Sequence, residues 1–182
     1  MSDYTAIEEV TQPVFATWFD GVRTEDGLGM GDPIEGAEKR VHTCLGQKTM
    51  ELHAAEGGEA YWFLLSEEVN GVETVLAGAA ARVNTRRSKR EATLETMYVI
   101  KSARGQGNAT RLAAHVLEYN PTTIGLGVGL RANTLMATTF ERLGFARNAQ
   151  LEDWAPIQAG DLAAAVEAGL PAPWMDAVAD GL

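Results

Sequence analysis

Apolar positions along the chain change period several times, and each change predicts an element. Over Tyr4–Phe19, Ile7, Val10, Val14 and Trp18 recur as one helical face, although Pro13 falls inside it. The glycine-rich "GLGMGDPIEG" has no apolar period and predicts a loop. A second helix is expected from Ala37 to Ala54, with Val41, Leu45 and Leu52 as its stripe and Gly57-Gly58 as its stop. The pattern then turns to strands. "AYWFLLSEE", the turn "VNGV" and "TVLAGAAARVN" predict a β-hairpin, and "REATLETMYVI" a third strand. Helical spacing returns at Ala109, Leu112, Ala113, Val116 and Leu117, and Pro121 closes that helix. "TIGLGVGLRAN" predicts a strand with Ile124, Leu126, Val128 and Leu130 on one face and Gly125, Gly127 and Gly129 on the other. A short helix over Thr134–Leu143 should end at Gly144, a C-cap position, and "ARNAQLEDWA" should form one more strand. A tail helix at Asp161–Ala168 and the Pro-flanked "PAPWMDAV" complete the chain. The order ααβββαβαβ predicts an α/β chain of the α+β type, with one domain over residues 1–155 and a C-terminal helical extension over 156–182.

Composition narrows the class. At 182 residues and 46% hydrophobic, one domain with a sizeable core is expected. The start, "MSDYTAIEEV", is acidic and polar rather than leader-like, and "VLAGAAARV" is too short to span a bilayer. A lone cysteine, Cys44, excludes an internal disulfide and any multi-cysteine metal site. His42, His53 and His115 lack the carboxylate spacing of a metal site, with His115 on the polar side of its helix. These features predict a soluble, cytoplasmic protein with no metal and no membrane partner. The net charge of −10 disfavours nucleic acid as a partner, yet 8 of the 15 basic residues lie between Arg82 and Arg111. Only Glu91 and Glu95 oppose them there. Such a window suits a small anion at one site, or else a solvated hairpin tip at "NTRRSKRE".

The candidate chemistry sits where the third strand feeds a helix through Arg104-Gly105-Gln106-Gly107-Asn108-Ala109. A helix start preceded by glycines offers unpaired backbone N–H groups and the positive end of a dipole, which together bind phosphate. The loop lacks the Gly-Lys-Ser/Thr ending of a P-loop and the three spaced glycines of a dinucleotide fingerprint. A tight turn with no ligand fits the same residues.

The stretch "TMYVIKSARGQGNATRL" resembles the strand-loop-helix of the GNAT superfamily of N-acetyltransferases. Arg104, Gly107 and Ala109 meet its Arg/Gln-x-x-Gly-x-Gly/Ala pattern. Downstream, "RANTLMATTFERLGF" resembles the family's Asn, short helix and "Tyr-Glu-x-Leu-Gly-Phe". The two blocks cover about residues 90–148, whereas the first ~35 and last ~28 residues match nothing, and the family's opening strand is not evident. The resemblance implies a central mixed, mostly antiparallel sheet with splayed central strands flanked by helices. It implies acetyl-CoA as cosubstrate, its pyrophosphate on the amides of Arg104, Gly105, Gln106, Gly107, Asn108 and Ala109, and its arm paired with the backbone of Met97 and Val99. Asn133 matches the asparagine that contacts the arm, and a helix N-cap would equally suit it.

Transfer of an acetyl group from a thioester to an amine needs a proton acceptor, an oxyanion site and a proton for the departing thiolate. Glu95 interrupts an otherwise uncharged strand two residues before Met97, where several family members place a candidate base; a solvated edge carboxylate is the plain alternative. The tyrosine that family members use beside the sulfur aligns with Phe140, which cannot donate a proton. Thr139, Tyr98, water or an unassisted thiolate remain. Trp18 and Trp62 are core anchors or walls of an acceptor pocket. The expected function is acetyl transfer from acetyl-CoA to a primary amine by direct attack. The rivals are a catalytically weak CoA-binding regulatory protein and an enzyme of this fold that modifies protein or nucleic acid. A homodimer stays open.

Overall fold

The computed structural model describes residues 4–25, 40–131, 136–148 and 153–169. In chain order these form β1 (Tyr4–Val10), α1 (Gln12–Glu25), α2 (Arg40–Ala55), β2 (Glu59–Val69), β3 (Val72–Arg86) and β4 (Lys89–Val99). Then come α3 (Asn108–His115), β5 (Thr123–Leu126), α4 (Val128–Arg131), α5 (Ala137–Arg142), β6 (Arg147–Asn148), β7 (Asp153–Trp154), β8 (Ile157–Gln158) and α6 (Ala159–Gly169). The main sheet has the order β1-β2-β3-β4-β5-β8, and only the β4–β5 pair is parallel. It is the mixed, mostly antiparallel sheet that the family resemblance implies.

The hairpins follow local rules. Asn70 and Gly71 both take positive φ, 53° and 75°, the geometry a two-residue turn needs between right-twisted strands. Along β3, Ala77, Ala79, Ala81 and Val83 enter one core with Leu94, Met97, Leu112, Val116 and Leu162. Gly78 faces the other way, where a Cβ would run into Trp18, Leu64 and Phe15. That second face carries a smaller cluster of Phe15, Phe19, Leu64 and Tyr98 beneath α1.

Several expectations are corrected. The first predicted helix is a strand followed by a helix: all seven residues of β1 pair with β2. Pro13 then lies in the first turn of α1, where its missing N–H costs nothing. The buried face of α1 is Phe15 and Phe19, while Val14 is half exposed. In α2, Met50 is buried and Leu52 is exposed, so Leu52 is not on the packed face; the side chains of Val41 and Leu45 lie outside the described residues. "ARNAQLEDWA" contributes not one strand but two short ones, β6 and β7, paired with each other.

The predicted "TIGLGVGLRAN" strand stops at Leu126. Gly127 donates its N–H to the Leu94 carbonyl (2.8 Å) and accepts from Leu130 and Arg131, so the chain turns into α4. Gly144 does end α5, with φ 91°. The segment after 156, expected as an extension, supplies the edge strand β8 and places Leu162 and Val166 in the main core. Trp174 and "PAPWMDAV" lie outside the described residues.

Candidate active site

The site begins where two parallel strands part. β4 and β5 pair over Glu91–Leu94 and Thr123–Leu126 and no further. β5 then turns away into α4, while β4 continues to Val99 beside β3 alone. The side of β4 over residues 95–99 that faced β5 is therefore open among the described residues.

At the parting point β4 carries an extra residue. Thr96 pairs with Ala80 and Leu94 with Ala81, which leaves Glu95 in a β-bulge. Glu95 is 4% exposed, not a solvated edge carboxylate, and Arg82 Nε donates to its Oε1 at 2.6 Å. A Cβ on Gly127 would fall on Glu95 Oε2. The glycine thus makes room for this carboxylate. Gly125 has only ordinary contact, to Pro156 at 3.9 Å, and the Gly129 face lies outside the described side chains.

Beyond the open strand lies a cleft of about 280 Å³. Its walls include Met97, Tyr98 and Val99 of β4, the loop residues Ala103, Arg104, Gly105 and Gly107, and the first turn of α3. Gly105 and Gly107 take φ of 75° and 78°, which a side chain would strain, and Gly107 is the N-cap of α3. The first-turn N–H groups of α3 have no partner within the helix and border the cleft. Asn108 is almost fully buried and braces the loop: its Nδ2 donates to the Ala103 carbonyl (2.9 Å), and Arg111 Nη1 donates to its Oδ1 (3.2 Å). Burial holds the Arg111 guanidinium below its ordinary pKa, partly offset by Glu67. Arg104 Nε donates to the Val99 carbonyl (3.0 Å), and its guanidinium lies 5.8 Å from the Tyr98 ring centre.

Met97, Val99, Arg104, Gly105, Gly107, Asn108 and Ala109 thus meet in one cleft. Gln106 is on the same loop but turns back to the Ser102 carbonyl (3.3 Å). Asn133 lies outside the described residues. Phe140 is a correction: it is 0% exposed, with edge contacts to Phe145 and Trp154, and does not line the cleft. Its helix presents Met136, Thr139 and Arg142 instead. Their spacing of three was the signal that could have found Met136 and Arg142. Arg82 was also missed, although a lone charge in the apolar "LAGAAARV" is as unusual as Glu95 in its strand.

The basic window does not form one patch. Arg82 is taken by Glu95, and Arg90 by Glu59 (3.0 Å) and the Tyr119 carbonyl (3.0 Å). Arg86, Arg87 and Lys89 sit at the β3–β4 turn, about 30 Å along β4 from the glycine loop at ~3.3 Å per residue. His115 is not on a polar face: it packs on Phe63 (4.8 Å), with Nδ1 3.2 Å from Glu118. Burial holds its pKa below the ordinary value, against the opposing pull of Glu118. Among the described residues no helix is long and apolar enough to cross a membrane, and no cluster of His, Cys, Asp or Glu could hold a metal ion.

Comparison with known proteins gives concordant results. The model of a family described as "Acetyltransferase (GNAT) family" matches residues 34–145, more than half of the chain. No curated protein matches in sequence. The structure of AtaTR bound with AcCoA aligns at TM-score 0.55 and 15% identity, covering 89% of this chain and 98% of that one. YhbS, a GNAT family N-acetyltransferase from Escherichia coli in complex with CoA, aligns at TM-score 0.54 and 16% identity, covering 89% and 84%. A putative acetyl transferase from Pyrococcus furiosus aligns at TM-score 0.52 and 14% identity, covering 80% and 95%. At these identities the alignments bear on the fold.

Proposed function

The chain belongs to the GNAT acetyltransferase family, and we propose that it transfers an acetyl group from acetyl-CoA to a primary amine by direct attack. The observation that carries this reading is the junction of an open strand with a glycine-broken helix start. The backbone of Met97 and Val99 lies beside Gly105, Gly107 and the first turn of α3 in one cleft.

The residues present suit that cosubstrate. The first-turn N–H groups of α3, with Arg104 and Arg142 at the rim, offer dipole and charge to a pyrophosphate. The unpaired side of β4 offers backbone groups to an amide-bearing arm, and its N–H groups a site for the thioester oxygen. The Val99 carbonyl already accepts from Arg104 Nε and has a second lone pair to give. Glu95 takes the role of proton acceptor. Arg82 occupies Oε1, which orients the carboxylate and leaves Oε2 in the fork between β4 and β5. As the amine nitrogen bonds to the acetyl carbon, the carbon–sulfur bond breaks and the amine proton passes to Glu95, directly or through water. Phe140 is enclosed and has no part in this. Tyr98, Thr110 and Thr139 are the hydroxyl-bearing residues of the cleft wall, and a thiol of ordinary acidity also departs as thiolate without an acid.

The enclosed Phe140 favours one second reading, a CoA-binding protein with little turnover. The separating experiment mixes protein, acetyl-CoA and a panel of primary amines and follows free thiol. Saturable, amine-dependent thiol release is expected. Tight acetyl-CoA binding with no release by any amine would support the second reading instead.

A further inference from the structure

We propose that Arg82 is a specificity residue that recognises an oxyanion, carboxylate or phosphate, carried by the amine acceptor; this rests on the acetyl-transfer reading above. Arg82 lies in β3 on the face of Gly78, away from the main core and on the side covered by α1. Trp62 partners Ala80 and packs with the cluster of Phe15, Phe19 and Tyr98 on that face. The cosubstrate loop belongs to the end of β4 beyond Val99, away from Arg82.

Three details make the guanidinium a recognition group rather than a mere counter-ion. Its cross-strand neighbours are Ala60 on β2 and Thr93 on β4, both small, so the guanidinium is flanked by short side chains. Only Nε is used, toward Glu95 Oε1, and Nη1 and Nη2 have no partner among the described residues. The side chain is 29% exposed, whereas its carboxylate partner is 4% exposed, so the guanidinium forms the wet end of the pair. A guanidinium fixed through Nε presents its remaining N–H groups as a planar fork, the geometry that binds carboxylate or phosphate through two parallel bonds. A purely structural role explains less, because enclosing an ion pair adds little or nothing to stability compared with an apolar pair. Oε2 of Glu95 lies against Gly127, at the fork of β4 and β5. The acceptor would therefore hold its amine and its oxyanion a short distance apart, as a small amino acid or an amino-alkyl phosphate does.

The test is calorimetric titration of the CoA-loaded protein with matched probes. Glycine and β-alanine form the carboxylate arm, against ethylamine and propylamine. Phosphoethanolamine forms the phosphate arm, against ethanolamine. At least one anionic probe should bind about tenfold or more tightly than its neutral counterpart, and the arm that does so identifies the oxyanion. Arg82→Lys keeps a cation for Glu95 but loses the fork, and it should erase most of that preference while leaving affinity for acetyl-CoA unchanged. Arg82→Met should erase it too, and the lysine variant covers the case in which the methionine variant does not fold. Equal binding of charged and neutral probes, binding of none, or an undiminished preference in Arg82→Lys would overturn the proposal. Acetyl-CoA titrated alongside separates the two ideas: its failure to bind wild type would reject the acetyl-transfer reading itself.

Discussion

Two glycines of one segment, two residues apart, should respond oppositely to the same added methyl group. At Gly127 a Cβ would fall on Glu95 Oε2, 2.7 Å from its Cδ and 2.9 Å from its Cα. The carboxylate end can swing, but the backbone atom cannot, so β4 and the turn into α4 must move apart. Overpacking of this kind costs about 1–3 kcal/mol. At about 2–4 °C per kcal/mol for a chain of this size, Gly127→Ala should lower Tm by roughly 2–12 °C. At Gly125 the nearest atom is Pro156 Cγ at 3.9 Å, and the backbone is not in the left-handed region. There the methyl group fits, and a stiffer unfolded chain stabilises by about 0.4–1 kcal/mol. Gly125→Ala should therefore leave Tm unchanged or raise it by roughly 1–4 °C. Thermal unfolding of both variants in one buffer measures the difference. A double-mutant cycle with Glu95→Ala adds a second reading, because removing the carboxylate should reduce the cost of Gly127→Ala without abolishing it. Equal Tm for the two glycine variants would refute the placement of Glu95 against Gly127, and with it the geometry assigned to the site.

Asn108→Ala removes both hydrogen bonds of the loop brace and should cost about 1–3 kcal/mol in urea unfolding; it should also weaken CoA much more than pantetheine, which lacks the pyrophosphate. Phe140→Tyr places a hydroxyl in an enclosed aromatic cluster and should destabilise by about 1–3 kcal/mol, with no gain in single-turnover rate; a tenfold faster chemical step would show the ring reaching the cleft. Burial lowers the pKa of His115 against the opposing pull of Glu118, so its folded pKa lies below the unfolded value near 6.5. Its contribution is then present above about pH 6.5 and is lost as pH falls toward the folded pKa, because the unfolded chain binds the proton first. Urea midpoints of wild type should drop from pH 7.5 to 5.5, and His115→Gln should flatten that drop; parallel slopes would show that another group is responsible.

Elements whose pairing is encoded locally were legible in the sequence. Asn70-Gly71 dictates its turn, Gly144 its helix stop, and the Arg104–Ala109 loop its αL glycines, and that loop borders the cleft. What was hidden depends on distant partners. β1 looks helical because Ile7 and Val10 are three apart, and only pairing with β2 makes it a strand. β5 looks longer than it is because alternation persists through Leu130, whereas the Gly127 N–H bond to Leu94 turns the chain. Glu95 stood out as a charge in an apolar strand, but its bulge and its bond to Arg82 depend on register across two strands. Phe140 matched a motif position by spacing, yet Phe145 and Trp154 enclose its ring.

Amide hydrogen exchange, with and without saturating acetyl-CoA, tests the central claim most directly. The account predicts slowed exchange in two segments, the open strand at Met97–Val99 and the glycine loop with the first turn of α3 at Gly105–Thr110. The β3–β4 turn at Arg86–Lys89, about 30 Å away along the strand, should be unchanged. Saturable binding that protects the β3–β4 turn and spares both cleft segments would contradict the account, as would no binding at all.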